Sequence, residues 1–536
     1  MTTARAGDDP WADRWRHRSA PDVRFLDRVV LVALVAAGAA AVVQLGDWWF
    51  RRMHVADPAL FAGLSLAFWY GVSRLVVGWI NCLAIARPRP RSAPSGLHVA
   101  VFTTSAPGEP IDMFDRTLAA CARVRYPHTT YLLDDTRDPR FRAAAERHGA
   151  VWLELVDLPG AKAGKINRAL ELTTEDFVLV LDPDHVPFPE FFDPVLGHFS
   201  DATVGFVQVA QAYYNQRRGF TAAAAAEQTY AFYGPGQMGL YGHGASVAIG
   251  ANCTFRRAAL ASIGGHGLGL AEDLVTAIRL HARGWRSVYV PEIVSRGLVP
   301  EDLGSYYKQQ LKWSRGVYEV AFAEMPRLWS HLTGRQRLAY LAIGTYYLSG
   351  FSTAAYLVFP YLYLWTGAQP ADMRFAEFLM SVAPVGVIGA AVYLYTQRWL
   401  CDARAERGLH WRGLILKIAC WPIFVIGTLL AIVRVGLPYV PTPKQGIRGR
   451  FFRLAWPHLA LLMLYATTVA QVVRTRLLTE GAWLDRSPEA TWGMLLFAVM
   501  PVAASFGAVH AAWQSSRPQL TGAWTDIDVA CIGGSD

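Results

Sequence analysis

Apolar residues in this chain come in blocks. Residues 29–50 and 59–86 are each long enough to span a bilayer, which takes about 20 apolar residues. Five more apolar stretches follow, at roughly 338–365, 378–400, 414–435, 454–473 and 492–513. Between the two groups the pattern changes to short buried-strand runs alternating with helical stretches. A run at 98–104 opens this block. The runs at 130–135 and 177–184 repeat it, and each ends in a pair of carboxylates. Strands alternating with helices predict an α/β domain with a mainly parallel sheet. Ligands of open α/β sheets sit at the carboxyl ends of strands, where both carboxylate pairs lie. The expected layout is a tail over 1–28, two transmembrane helices over 29–86 and the α/β domain with interfacial helices over 87–335. Two transmembrane helices follow over 336–400, then an interfacial helix and loop over 401–453, two more transmembrane helices over 454–515 and a tail over 516–536.

Composition agrees with a membrane protein. Of 536 residues, 53% are apolar and 17% charged, against about 25% charged in an ordinary soluble domain. The net charge of +9 comes largely from arginines beside the apolar stretches. Arg5, Arg14, Arg16, Arg18, Arg24 and Arg28 precede the first span and Arg87, Arg89 and Arg91 follow the second, whereas the link between them holds Arg51 and Arg52. The positive-inside rule then predicts a cytoplasmic N-terminus and α/β domain in an integral inner (plasma) membrane protein. Basic residues flank 414–435 on both sides, which predicts a segment that lies in the interface or enters without crossing. The expectation is therefore six spans, one interfacial helix and a cytoplasmic C-terminus. A seven-span alternative would put Lys444 outside. Because the arginines flank spans instead of forming one soluble basic face, no nucleic-acid partner is expected. The six cysteines show no metal-binding or disulfide spacing. The first 28 residues are polar and carry no signal-peptide pattern. Arg74, inside the second apolar stretch, must face protein, water or a headgroup.

Asp182-x-Asp184 is the main chemical signal. Two carboxylates one residue apart on an extended turn can reach one divalent cation, and oxygen ligands suit Mg²⁺ or Mn²⁺, which bridge phosphates. A strand-end aspartate is also a common turn former. Glu272 and Asp273 open a helical run, where carboxylates are favoured by the helix dipole or can serve as a general base. Gln309-x-x-Lys312-Trp313 reads as a basic interfacial helix with a tryptophan anchor. The aromatics Tyr346, Tyr347, Phe351, Tyr356, Phe359, Tyr361, Tyr363 and Trp365 suit either an interfacial belt or a sugar-stacking wall.

The order of these motifs narrows the reading. Asp134-Asp135, then Lys162 to Asn167, Asp182-x-Asp184-His185, Gln208-x-x-Gln211, Ala271-Glu272-Asp273 and Gln309-x-x-Lys312-Trp313 follow one another. The series resembles the processive family 2 glycosyltransferases, the cellulose synthase-like membrane β-glycan synthases, over about residues 27–475. Their hallmark is D, DxD, TED and QxxRW. The resemblance implies an α/β GT-A catalytic domain inserted between α-helical transmembrane segments. The implied activity is inverting, processive transfer from a UDP-sugar, UDP-glucose first, into a β-linked glucan that is moved across the membrane. It further implies that Asp273 takes the acceptor proton and that Asp182 and Asp184 hold Mg²⁺ or Mn²⁺ on the diphosphate. Glu109, Asp134 and Asp135 would contact the nucleotide, with Lys162 and Lys312 beside the diphosphate. Trp313, Gln309 and Glu272 would bind the acceptor. Tyr439-Val440-Pro441-Thr442-Pro443-Lys444 resembles the family's gating loop, so Thr442 and Lys444 would close over the donor. The implied partners are the UDP-sugar, the growing polysaccharide and membrane lipids, with accessory subunits allowed.

This sequence departs from the family in several places, among them the gating loop, where Tyr439 stands for a phenylalanine and Pro441 for a valine. Lys312 replaces an arginine, keeping the charge but losing the planar fork. Ala271 replaces a threonine. The stretch at 248–252 lacks the family's cysteine beside the growing chain, which bears on which polymer is made. No cyclic-dinucleotide regulatory domain is expected after the last span. One alternative activity is non-processive transfer of a sugar to a lipid carrier. Another is a membrane scaffold with an inactive transferase-like domain, which would have eroded carboxylates, whereas Asp134, Asp182, Asp184 and Asp273 are all present.

Overall fold

The computed structural model describes residues 15–437, 451–478 and 488–516. Two long helices come first, α1 (Phe25–Trp49) and α2 (Pro58–Leu83). Asp57 caps α2 by accepting from the Leu60 N–H, and Pro58 stands where its missing N–H costs nothing. The helices approach so closely that a Cβ on Gly38 would lie 2.6 Å from the Trp79 ring. Their outer faces stay apolar and open, with Val29, Val32 and Val43 of α1 exposed. Such a helix suits lipid, because its backbone groups are all bonded internally.

Near-continuous apolar runs then build a seven-stranded sheet. Its strands are β1 (Val99–Thr104), β2 (Thr129–Asp134), β3 (Val151–Glu154), β4 (Phe177–Leu181), β5 (Val204–Val209), β6 (Cys253–Arg256) and β7 (Arg286–Val290). The spatial order is β3-β2-β1-β4-β6-β5-β7. Neighbours are parallel except that β6 runs antiparallel to both β4 and β5. The sheet is thus mixed and mainly parallel, as the sequence predicts. Ala100, Phe102, Val178 and Val180 point into one core, and Val99, Val101, Leu179 and Leu181 into the other. Burial on both faces explains why these strands read as continuous apolar runs. Helices α3 (Ala161–Leu172) and α4 (Glu272–Ala282) supply Ile166, Ala169, Leu274 and Ile278 to the first core. Helix α5 (Leu303–Glu319), capped by Asp302 on the Ser305 N–H at 2.8 Å, leads back to the apolar helices.

The second group comprises α6 (Gly334–Gly344), α7 (Ser349–Thr366), α8 (Phe375–Thr396), α9 (Trp411–Ala419), α10 (Trp421–Ile432), α11 (Trp456–Leu478) and α12 (Pro488–Ser515). Among the described residues, 5 helices are long and apolar enough to cross a membrane, and α9 with α10, bent by 47°, would make a sixth. The chain is a multi-pass membrane protein. The stretch at 414–435, expected in the interface, is this bent pair. The stretch at 338–365, expected as one span, is divided by a 3₁₀ turn at Tyr346–Leu348, and α7 falls outside the five. Even so, α7 reaches the far end of the bundle. Just beyond it Ala371 pairs with Val55, and the Asp372 N–H donates to the His54 carbonyl at 2.9 Å. Packing against α2, α10 and α12 lets α7 carry polar groups that lipid would not accept. Ser352 and Tyr356, for example, both donate to the Ala67 carbonyl.

Candidate active site

Parallel register brings the ends of β2 and β4 to one edge of the sheet: β1 pairs Thr104 with Leu133 and Thr103 with Leu181. Asp134, the last residue of β2, is buried and fully engaged. It accepts from Ser105 Oγ at 2.5 Å, Thr136 Oγ1 at 2.8 Å, Thr136 N at 3.0 Å and Trp152 Nε1 at 2.9 Å. Asp135 accepts from the Asp157 N–H at 3.3 Å and lies 3.4 Å from Lys165 Nζ. Glu109 accepts from the Ala106 N–H at 2.9 Å, closing the turn after β1. Lys165 also donates to the Ser105 carbonyl, so these groups form one wall. Burial pulls Lys165 below the usual lysine value, against the attraction of Asp135.

A second cluster adjoins it. Lys162, near the start of α3, donates to Asp182 and to the Gly250 carbonyl. Burial works against its charge, but Asp182, Glu272 and Asp273 prevail and hold it above the usual lysine value. Gly250 has φ +61°, a conformation that favours glycine. A Cβ there would lie 3.5 Å from Asp273 Oδ2 and 4.0 Å from Lys162 Nζ, so the backbone itself borders the site. Gln208 and Gln211 hold this loop. Gln208 accepts from the Ile249 N–H at 3.0 Å and donates to the Ala251 carbonyl at 2.9 Å, while Gln211 donates to the Ile249 carbonyl at 2.6 Å.

Asp182, Asp184 and His185 offer ligand atoms that all lie within 4.8 Å of one another. Antiparallel pairing of Ser295–Arg296 with Val186–Pro187 lays the following residues across this group, and the Leu298 N–H donates to Asp184 Oδ2 at 3.0 Å. Gly297 is required there, since a Cβ would come 2.4 Å from the His185 ring. His185 is buried and neither ring nitrogen makes a hydrogen bond. Two carboxylates and a buried imidazole with unengaged nitrogens fit a divalent cation such as Mn²⁺ or Mg²⁺ that also takes phosphate oxygens.

Asp273 stands in the first turn of α4, with Oδ1 accepting from the Leu274 N–H at 2.7 Å. It keeps a little open surface although protein surrounds it. Burial, then the neighbouring Glu272 carboxylate, push its pKa up to about 7 against the pull of the Leu274 N–H, Lys162 and Lys312. Lys312 reaches this site from α5. One residue on, Trp313 packs against an apolar cluster that includes Tyr306, Tyr307, Tyr347 and Phe424. Gln309 lies one turn earlier on the same helix, half-exposed and on the same face as Lys312 and Trp313.

The structure thus brings together Lys162, Asp182, Asp184, Glu272, Asp273 and Lys312, with Glu109, Asp134 and Asp135 forming the adjoining wall. Thr442 and Lys444 lie outside the described residues. Sequence reasoning assigned no role to His185, Gln208, Gln211 or Arg315, and touched Gly250 only as part of the 248–252 stretch. His185 was legible as the neighbour of the DxD pair. The part Gly250 itself plays was not, because its positive φ and its distance from Asp273 arise only from folding. Buried Arg315 donates from Nε and Nη2 to the Val435 carbonyl at 3.1 and 3.0 Å, tying α5 to the chain that leads toward Thr442.

Residues 97–316 match the family model described as "Glycosyltransferase like family 2", and residues 262–399 match "Cellulose synthase". A "Cellulose synthase catalytic subunit [UDP-forming]" of Komagataeibacter sucrofermentans is 28% identical over 325 residues, covering 59% of this chain and 41% of that protein. Its namesake in Pseudomonas fluorescens is 26% identical over 458 residues, covering 81% of this chain and 61% of that protein. The chain spans less than half the length of the first of these relatives. Among solved structures, a mannosyltransferase from Pyrobaculum calidifontis in complex with GDP-Man and Mn²⁺ shows 16% identity and a TM-score of 0.47. That match covers 70% of this chain and 99% of the other.

Proposed function

The chain is a family 2 glycosyltransferase related to the cellulose synthase catalytic subunits, and from that premise we propose that it polymerises sugar from a UDP-sugar into a β-linked glycan and passes it across the membrane. UDP-glucose is the first donor to test. The "UDP-forming" in the relatives' names supports a UDP-sugar. The observation that carries the reading is the convergence of Asp273 and Lys162 on Gly250, with Asp182 bonded to the same Lys162.

The chemistry follows from those residues. Asp273 Oδ2 takes the proton of the acceptor hydroxyl while Oδ1 is held by the Leu274 N–H. Lys162 and Lys312 face the charge that develops on the leaving diphosphate. A divalent cation at Asp182, Asp184 and His185 would neutralise that diphosphate. A single displacement inverts the anomeric carbon and needs no carboxylate nucleophile. Glu109, Asp134 and Asp135 border the nucleotide, Trp313, Gln309 and Glu272 receive the acceptor, and Thr442 and Lys444 close over the donor. The basic residues around the first two spans put the catalytic domain in the cytoplasm, where nucleotide sugars are supplied.

The test is UDP release by the purified chain in vesicles, with a panel of UDP-sugars and Mg²⁺ or Mn²⁺, and with the product sized and digested by linkage-specific glycosidases. The expected result is sugar-dependent UDP release with a long product. Chelation should abolish it, and Asp273→Asn should lower it by about 10²–10⁴-fold. Turnover that yields only a single-sugar glycolipid would refute processivity.

A further inference from the structure

Two cations inside the helical bundle stand without a counter-charge among the described residues. The Arg74 guanidinium lies over the Tyr346 ring at 5.5 Å, and Lys417 Nζ lies over the same ring at 4.5 Å. Arg74 donates to the Ala342 carbonyl at 2.6 Å and to Thr345 Oγ1 at 3.4 Å. Among the described residues no carboxylate pairs with either cation. The charged group that faces Lys417 is Arg74 itself. Both side chains keep some open surface, as does Tyr346. Two like charges held together in a membrane bundle are costly and mark a functional site by default.

Their position gives the site a direction. Tyr346 occupies the break between α6 and α7, and Lys417 precedes the 47° bend between α9 and α10. The two breaks meet: a Cβ on Gly350 would lie 2.8 Å from Phe424 and 3.0 Å from the Trp421 carbonyl. Broken helices at membrane depth are tolerated where they line a polar cavity, and in transporters they hold the transported group. Helix α10 also packs on α5 at the residue after Trp313, since a Cβ on Gly427 would strike Ser314 Oγ. Tyr346 and Trp313 flank one apolar cluster.

We propose that Arg74 and Lys417 form an oxyanion site on the membrane side of Trp313 that takes the carboxylate of an acidic sugar unit, so that the polymer contains uronate. This rests on the polymerising reading above and narrows its donor. A lipid phosphate is the other source of the same oxyanion chemistry.

The full chain would be reconstituted in neutral phosphatidylcholine vesicles and in vesicles containing phosphatidylglycerol. Each would receive UDP-glucose, UDP-glucuronate or both, with UDP release and product length read together. Uronate-containing polymer in the neutral vesicles is the expected result. Arg74→Gln and Lys417→Gln should each shorten it about fivefold or more, while Arg74→Lys and Lys417→Arg preserve length and show that shortening is not misfolding. A neutral polymer whose length ignores both glutamine variants overturns this assignment and leaves the polymerising reading intact. A neutral polymer that requires phosphatidylglycerol in the wild type but not in the variants makes the site a lipid headgroup site and also overturns it. No polymer from any donor overturns both.

Discussion

Asp273 is a carboxyl group held near the point of ionisation at neutral pH. A folded-state value raised to about 7 means that it is largely protonated below that pH and accepts a proton only above it. The free enzyme's kcat/KM is therefore expected to rise about tenfold per pH unit on the acid side and to level off above about 7. Glu272, buried alongside, is the second cause of the raised value. Glu272→Gln should therefore move the midpoint of the acid limb to lower pH, whatever it does to the plateau. An unmoved midpoint would show that another group controls the limb. His185 and Gly250 belong to the same scale. An imidazole whose ring nitrogens make no hydrogen bond, and a backbone that only glycine can bring this close, make room for ligand atoms the chain does not itself supply.

Between elements, the catalytic domain is fastened to the helices by a buried ion pair. Arg296, next to the residues that cross the DxD group, lies 3.2 Å from Asp402 in the segment after α8, and both are almost fully buried. Glu406 stands beside them, pushed up to about 7 first by burial and further by Asp402, against the pull of Arg296. Asp402→Asn would remove the carboxylate that faces the buried Arg296 charge and should destabilise the protein by about 3 kcal/mol. That is the low end for such a change, because Glu406, relieved of Asp402, can ionise in its place. Thermal unfolding in detergent checks this, and an unchanged midpoint would mean that the pair carries no net energy. The loss should track Arg296→Met, which removes the charge and keeps the packing.

At the scale of the molecule, the bridge between Val55 and Ala371 puts the 50–57 and 367–374 links at one end of the bundle, although α7 is less apolar than its neighbours. If the catalytic domain lies in the cytoplasm, as proposed, both links face outward. The five described cysteines are buried or half-buried, so labelling background should be low. A cysteine at exposed Met53 should react with a membrane-impermeant maleimide in intact cells, and one at exposed Glu171 only after permeabilisation. The reverse pattern would invert the orientation proposed here.

Local regularities in the sequence determined a good deal of this. Apolar runs near 20 residues marked α1, α2, α8, α11 and α12, because a lipid-facing helix must be apolar along its length. Strand runs ending in Asp134 and Asp182 located the site edge, because a parallel sheet puts its ligand at those ends. The course of α7 was decided by tertiary structure: a helix shielded by α2, α10 and α12 need not resemble a span, and only its neighbours show that it runs to the end of the bundle where the 50–57 link lies. The meeting of Gly250, Lys162 and Asp273 was decided in the same way, by an antiparallel β6 and the Gln208 and Gln211 hydrogen bonds, which join residues far apart in the chain. In the sequence Arg74 reads as a cation inside an apolar stretch that must face protein, water or a headgroup, and nothing local links it to Lys417. Folding alone stacked them on one tyrosine ring, because pairing across distant helices leaves no trace in local periodicity.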